Sequence, residues 1–159
     1  MNRTKGEFRD RLVLALATGF GTGYSPFASG TVGTLPALPL VWVVWQYTAW
    51  PAQLFLAVVL AVLAIPICSA AERRFQTKDD GRIVADEYLT FPICMIGLPV
   101  GPLMLAVAFV TARIFDIFKP PPVNQLQAVK GGLGIVLDDV MASFYSLAVN
   151  HLVYYFLLK

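Results

Sequence analysis

Residues 12–71 run for sixty positions without one Asp, Glu, Lys or Arg. A soluble domain of this size cannot hide such a run, because each of its helices needs a polar outer face. Two shorter uncharged runs follow, residues 88–112 and 140–158. The charged residues, 12 basic and 10 acidic, are thereby confined to blocks: residues 3–11, 72–87, 113–119 and 130–139, with Lys159 at the end. Hydrophobic residues make up 57% of the chain and charged ones 14%, against roughly 45–50% and ~25% in ordinary soluble domains. This pattern excludes disordered and secreted disulfide-scaffold classes, and the net charge of +2 gives no reason to expect a nucleic-acid partner. It describes a multi-span membrane protein, which we read as one membrane-embedded unit over residues 1–159.

A crossing helix needs about 20 apolar residues, with ~17–25 as the working range. Leu35–Tyr47 with its flanks, Ala52–Ala71, Leu103–Phe118 and Ile135–Leu158 supply candidates. Ile83–Leu98 is shorter and broken by Pro92, so it either spans or re-enters. Arg9–Phe20 is expected to be helical but too short to cross, and belongs at the interface. Glu7 and Asp10 in the leading segment, with spans after it, argue against a cleaved signal. The expectation is therefore an all-α helical bundle with four to five spanning helices and an N-terminal interfacial helix. Trp42, Trp45 and Trp50 suggest an interfacial belt near the turn at Trp50-Pro51. Cys68 and Cys94 sit in apolar surroundings and read as buried free thiols.

Orientation follows from Lys and Arg. Arg3, Lys5, Arg9 and Arg11 precede the first span. Arg73, Arg74, Lys78 and Arg82 follow the second, and Lys119 and Lys130 follow the fourth, whereas the turns at 48–52 and 98–102 carry no charge. A cytoplasmic N-terminus places every basic segment inside. Asp86 and Glu87 at the start of the third segment, Asp116 at the end of the fourth, and Asp138 and Asp139 at the start of the fifth then share one cytoplasmic layer with Arg113 and Lys119.

Ionisable groups at membrane depth are costly, so they usually face a partner or a wet cavity. For single residues the plain alternative is an interfacial acid at a helix start, where the dipole favours it. Adjacent residues on a helix diverge, so one member of Asp86-Glu87 and of Asp138-Asp139 is expected to face the site while its neighbour supports it or faces another helix. Carboxylates without His or Cys favour a hard cation, Mg²⁺ or Mn²⁺, held by Asp86, Glu87, Asp138 and Asp139. Arg113 and Asp116 stand i, i+3, so Arg113 either holds a phosphate beside an Asp-bound metal or forms an intrahelical ion pair. Thr31 and Thr34, with Ser29 around Gly30 and Gly33, offer hydroxyls for a phosphate or for helix capping. Gly131 and Gly132 ahead of the last helix let backbone N–H groups approach a phosphate, or simply punctuate a loop. His151 lies in an apolar helix away from the cluster and reads as structural.

Other phosphatase chemistries fail on their residues. Cys68 and Arg74 have thiol-phosphatase spacing, but the intervening loop is Ala-rich where glycines are needed. No Asp-x-Asp-x-Thr/Val motif exists, and one His cannot build paired-histidine chemistry. The segments Gly23-Tyr24-Ser25-Pro26, Ser29-Gly30-Thr31-Val32-Gly33-Thr34-Leu35, Ile83-Val84-Ala85-Asp86-Glu87, Arg113-Ile114-Phe115-Asp116-Ile117-Phe118-Lys119-Pro120 and Gly131-Gly132-Leu133-Gly134-Ile135, closed by Asp138-Asp139, resemble the phosphatidylglycerophosphatase A family of bacterial membrane lipid phosphatases. The resemblance runs from about residue 12 to 150. It implies an all-α bundle in the bacterial cytoplasmic membrane that removes the terminal phosphate of phosphatidylglycerophosphate with Mg²⁺, its active site facing the cytoplasm. Asp86, Glu87, Asp116, Asp138 and Asp139 would be catalytic, and Arg113, Lys119, Lys130, Thr31, Thr34, Gly131 and Gly132 would receive the phosphate. Lys130 stands where the family often has a His. The rivals are another phospholipid phosphomonoesterase and, from a different class, a small ion-coupled transporter or channel subunit. The latter expects midplane charges and repeated halves, and neither is visible.

Overall fold

The computed structural model describes residues 3–121, 123–126 and 129–159. The side chains of Arg3, Lys5 and Arg9, and Pro122 of the proline run, lie outside the described residues. All regular structure described is helical: α1 (Arg3–Ala17), α2 (Ser29–Thr34), α3 (Ala37–Trp45), α4 (Trp50–Phe75), α5 (Ala85–Thr90), α6 (Pro102–Phe118), α7 (Val123–Leu126) and α8 (Gly132–Val153). Short 3₁₀ turns occupy Thr22–Tyr24 and Phe91–Met95, and a π turn, Tyr154–Leu158, extends α8.

Among the described residues two helices are long and apolar enough to cross a bilayer, Trp50–Phe75 and Gly132–Leu158, fewer than the four to five spans expected. At 1.5 Å per residue the 26 residues of α4 extend about 39 Å. Pro51 sits in its first turn, where no N–H partner is lost. Its outer face stays apolar and open, with Phe55, Val58 and Val62 more than half exposed. That surface suits lipid and would be a liability in water. Where the first span was expected, α2 and α3 make one apolar helical stretch, Ser29–Trp45, shorter than either of those two helices. The N-terminal helix begins at Arg3 and ends at Ala17, earlier at both ends than the expected Arg9–Phe20.

Ile83–Leu98 is not a regular span. Proline has no N–H for the ladder, and Pro92 sits in the first turn of the 3₁₀ segment that replaces the α-helix after Thr90. Phe91, Pro92, Ile93, Cys94 and Met95 are all buried. The Gly97 N–H donates to Gln53 Oε1 at the start of α4 (2.8 Å), and Ile96 O meets the His151 ring near the end of α8 (2.9 Å). Residues 84–97 therefore lead from the carboxylate end to the start of α4, and the irregular part, Phe91–Met95, is packed among α3, α4, α6 and α8. Irregular backbone at membrane depth is tolerated only under such cover.

Helix α8 is the axis. It packs against α4, α5, α6, α7 and the buried 3₁₀ segment. A polar knot ties it in place: Thr111 Oγ1 lies 2.6 Å from Ser146 Oγ and 2.8 Å from Asn150 Oδ1, and Asn150 Nδ2 donates to Cys94 O at 3.0 Å. Trp45 departs from the expected belt: it is 3% exposed and belongs to the core, whereas Trp42 and Trp50 are exposed. Cys68 and Cys94 are free and buried, as their surroundings suggested.

Candidate active site

Three helix ends build the carboxylate layer. Asp86 and Glu87 lie in the first turn of α5, Asp116 in the last turn of α6, and Asp138 and Asp139 two turns into α8. They meet around a cavity of ≈ 170 Å³ lined by Ser29, Asp79, Gly81, Ile83, Asp86, Glu87, Asp116, Lys119, Asp138 and Asp139. Both members of each acidic pair line this one cavity, so the second member supports the site and does not face another helix. Neighbouring side chains do diverge by about 100° around a helix. Because α8 is enclosed by α4, α5 and α6, two directions that far apart both point inward. Asp86, Asp138 and Asp139 are 6%, 3% and 5% exposed.

The cations are committed to particular acids. Lys119 Nζ donates to Asp138 Oδ2 at 2.6 Å and stands 4.0 Å from Asp116 Oδ1. Burial works to lower the Lys119 pKa, but the bond to Asp138 and the nearby carboxylates outweigh it and hold the ammonium above its ordinary value. Arg113 pairs with Asp116 at 2.9 Å and with Glu87 at 3.3 Å. The intrahelical ion pair is thus present, and it is one arm of a three-residue link between α5 and α6. Arg113 does not line the main cavity. It borders a smaller void of ≈ 20 Å³ behind it, shared with Thr34, Glu87, Asp116 and Asp139. Thr34 Oγ1 donates to Gly30 O at 2.9 Å and accepts from Arg113 Nη1 at 3.4 Å.

Gly30 makes this link possible. A Cβ there would collide with Glu87 Oε1 and approach Arg113 Nη2 to 2.7 Å. The bare backbone of α2 therefore lies directly over the Glu87–Arg113 pair. The hydroxyls around Gly30 do not cap α2, whose N-cap position is Ala28 without a side-chain bond.

Of the seven expected phosphate-binding residues only Lys119 lines the main cavity; Arg113 and Thr34 border the smaller void, and the other four reach neither. Thr31 is half-buried on α2 and lines neither void, and Lys130 is exposed on the loop before α8. Gly132 is used for packing: its N–H donates to Ser69 Oγ at 3.1 Å, and a Cβ would strike Ile65 O and Ser69 N of α4. Gly131, at φ 76°, opens the helix beside it. Those glycines let α8 cross α4 closely. Conversely, Asp79 lines the cavity although the sequence did not point to it, and Ser29, offered as a hydroxyl donor, lines it too. Asp79 adopts φ 52° in the loop after α4, a conformation that Asp tolerates better than most residues. His151 stands at the opposite end of α8, bonded to Ile96 O.

The donor set is entirely oxygen, which suits a hard divalent cation. Among the described residues no three His, Cys, Asp or Glu side chains are gathered closely enough to hold an ion by themselves. Asp86 Oδ1 is nevertheless buried without a hydrogen-bond partner. A buried unpartnered carboxylate oxygen is expensive, and a cation that keeps its own waters and meets only one or two carboxylates fits such a site.

A family model described as phosphatidylglycerophosphatase A matches residues 15–154. Among curated proteins, a phosphatidylglycerophosphatase A of Escherichia coli is 34% identical over 142 residues, covering 87% of this chain and 81% of that protein. One from Haemophilus influenzae is 30% identical over 145 residues, covering 90% and 89%. A putative phosphatidylinositol-3-phosphatase of Bacteroides thetaiotaomicron is 34% identical over 141 residues, covering 85% and 89%. No solved structure gives a significant match.

Proposed function

The chain belongs to the phosphatidylglycerophosphatase A family, and from that premise we propose that it hydrolyses phosphatidylglycerophosphate to phosphatidylglycerol and phosphate at the cytoplasmic face of a bacterial membrane. The observation that carries this reading is the cavity in which five buried or half-buried acids and Lys119 converge at one end of an apolar bundle. Five crossings are assigned: Ser29–Trp45, α4, the sheltered segment 84–97, α6 and α8. The count is odd and returns every basic loop to the same side.

In this reading Asp86 and Asp139 hold Mg²⁺ (Mn²⁺ as substitute), with Glu87 and Asp138 as further oxygen donors. When bound, the ion supplies charge neutralisation of the phosphoryl oxygens and acidifies a water. Lys119 faces the phosphate and offsets its charge, and Asp138 fixes the lysine. Arg113 is a positioning residue: gripping Glu87 and Asp116, it fixes two walls of the cavity against their mutual repulsion. Thr34 steadies the same guanidinium. Closing the acids away from bulk water strengthens each of these interactions.

The lipids named in the relatives' descriptions, phosphatidylglycerophosphate and a 3-phosphorylated phosphatidylinositol, share a phosphomonoester on a polyol headgroup. Phosphatidylglycerophosphate is the member we assign. The test is phosphate release in detergent micelles, with Mg²⁺ and with EDTA, against phosphatidic acid as control. Release that requires Mg²⁺ and favours phosphatidylglycerophosphate is expected. Release undiminished by EDTA removes the metal from the account.

A further inference from the structure

Beside the carboxylate cavity lies a second, more open one of ≈ 300 Å³, formed by the loop before α2 and the loop before α5. The two share Ser29 and Gly81. These two residues form the neck between the cavities; a Cβ on Gly81 would stand in ordinary contact with Ser29 Oγ, at 3.7 Å, so a larger side chain there would narrow it.

The chemistry of the outer cavity differs from that of the inner one. Its charged pair is Asp80 and Arg82, joined by two parallel bonds, Nε to Oδ1 at 2.7 Å and Nη2 to Oδ2 at 2.8 Å. Their charges cancel, which leaves carboxylate acceptors beside guanidinium donors. The Arg82 bond holds the Asp80 carboxyl below its usual pKa range, so it stays an acceptor at neutral pH. Two of the five guanidinium N–H donors are committed to Asp80, and the guanidinium stacks 3.9 Å above the Phe75 ring. Tyr24 and Ser25 complete the wall with hydroxyls. Neutral overall and dense in both donors and acceptors, this lining suits a polyol rather than a second anion or an apolar group.

The surroundings supply an order along the substrate. On the loop that carries Tyr24 and Ser25, Phe20 and Phe27 are 73% and 81% exposed. Exposed aromatics at such a rim mark the interface where lipid tails leave for the leaflet. A phosphomonoester inside, a neck, a polyol-binding hollow and an aromatic rim follow one another in that sequence.

We propose that the outer cavity is the headgroup subsite, holding the polyol that separates the terminal phosphomonoester from the phosphodiester of the lipid. The inference rests on the phosphatase reading of the inner cavity. It makes the enzyme selective for a phosphate carried one polyol away from the diacylglycerol, and it makes Gly81, Asp80 and Arg82 the residues that set this distance. Phosphatidic acid, whose phosphate is attached directly to diacylglycerol, leaves the subsite unfilled.

The test compares kcat/KM on short-chain phosphatidylglycerophosphate and short-chain phosphatidic acid in mixed micelles, for wild type, Gly81→Val and Asp80→Asn. Gly81→Val narrows the neck and is expected to lower kcat/KM on phosphatidylglycerophosphate at least tenfold more than on phosphatidic acid. Asp80→Asn, which preserves shape and lines only the outer cavity, is expected to raise KM on phosphatidylglycerophosphate at least threefold more than on phosphatidic acid. It also keeps the test decisive if the valine variant does not fold. Equal losses on both lipids in the folded variants overturn the subsite and leave the phosphatase reading standing. If wild type releases phosphate from neither lipid, the phosphatase reading fails and takes the subsite with it.

Discussion

Replacing Lys119 by Met tests the electrostatic frame of the site with the least change of shape. Lys119 Nζ sits 2.6 Å from Asp138 Oδ2, with side-chain exposures of 21% and 4%. At an effective dielectric of ~20 that contact is about 6 kcal/mol of gross attraction. Removing two ions from water takes several kcal/mol each, so the intact pair contributes little net stability. Loss of one partner is different, because Asp138 would then remain buried without its cation. Breaking a fully buried pair in this way costs about 3–5 kcal/mol. With Lys119 one-fifth exposed, solvent screening brings the cost below that range, to about 2–3 kcal/mol. For a chain of this length the midpoint falls by about 5–10 °C. The assay is thermal unfolding in detergent with EDTA at one fixed scan rate. Adding Asp138→Asn to Lys119→Met removes the stranded charge and should recover at least half of the loss. The raised lysine pKa carries a sign as well. Its contribution is complete below the ordinary lysine value, about 10.4, and disappears only as pH rises through the elevated one, so the deficit of Lys119→Met is constant from about pH 6 to 9. A single variant within 2 °C of wild type, or a double variant no better than the single one, would refute the reasoning.

Three further outcomes follow from packing. Gly132→Ala places a methyl group against the backbone of α4 and should cost about 1–3 kcal/mol in unfolding experiments, with KM of the folded fraction unchanged. A raised KM would restore the phosphate-binding role denied to that glycine. Gly30→Ala displaces Glu87 from Arg113 and should lower kcat about tenfold or more at a stability loss below about 2 kcal/mol, measured as phosphate release beside a melting curve. Asn150→Leu strands the Cys94 carbonyl and takes one of its partners from Thr111 and should lower stability by about 1–2 kcal/mol, leaving the ratio of activities on two lipid substrates where it was.

The parts of the fold that were legible in the sequence are those set by long uncharged runs. α4 and α8 sit where those runs predict, since a long uncharged apolar stretch such as Trp50–Ala71 has few other solutions. Ile83–Leu98 was ambiguous for a physical reason: its apolar composition suits lipid and protein interior equally, and only the helices around it decide which. The same enclosure explains why both Asp138 and Asp139 face the cavity, because helical geometry fixes the angle between neighbours but not how many sides of α8 are walled. Gly132 was open to two readings, since close helix crossing and phosphate contact both require a missing side chain. Asp79 was hidden in a block of loop charges, and only the turn of that loop brings it to the rim. Ser146 and Asn150, four residues apart and polar within an apolar helix, carried a signal that the acidic pairs overshadowed.

The central claim is that the carboxylate layer performs the hydrolysis. It is tested most directly by inorganic phosphate released from phosphatidylglycerophosphate micelles by wild type, Asp86→Asn and Asp139→Asn at saturating Mg²⁺, with folding checked by melting. The account predicts turnover by wild type and a loss of at least a thousandfold, about 4 kcal/mol in the barrier, in each variant at near-normal stability. Turnover by either folded variant within tenfold of wild type would contradict it.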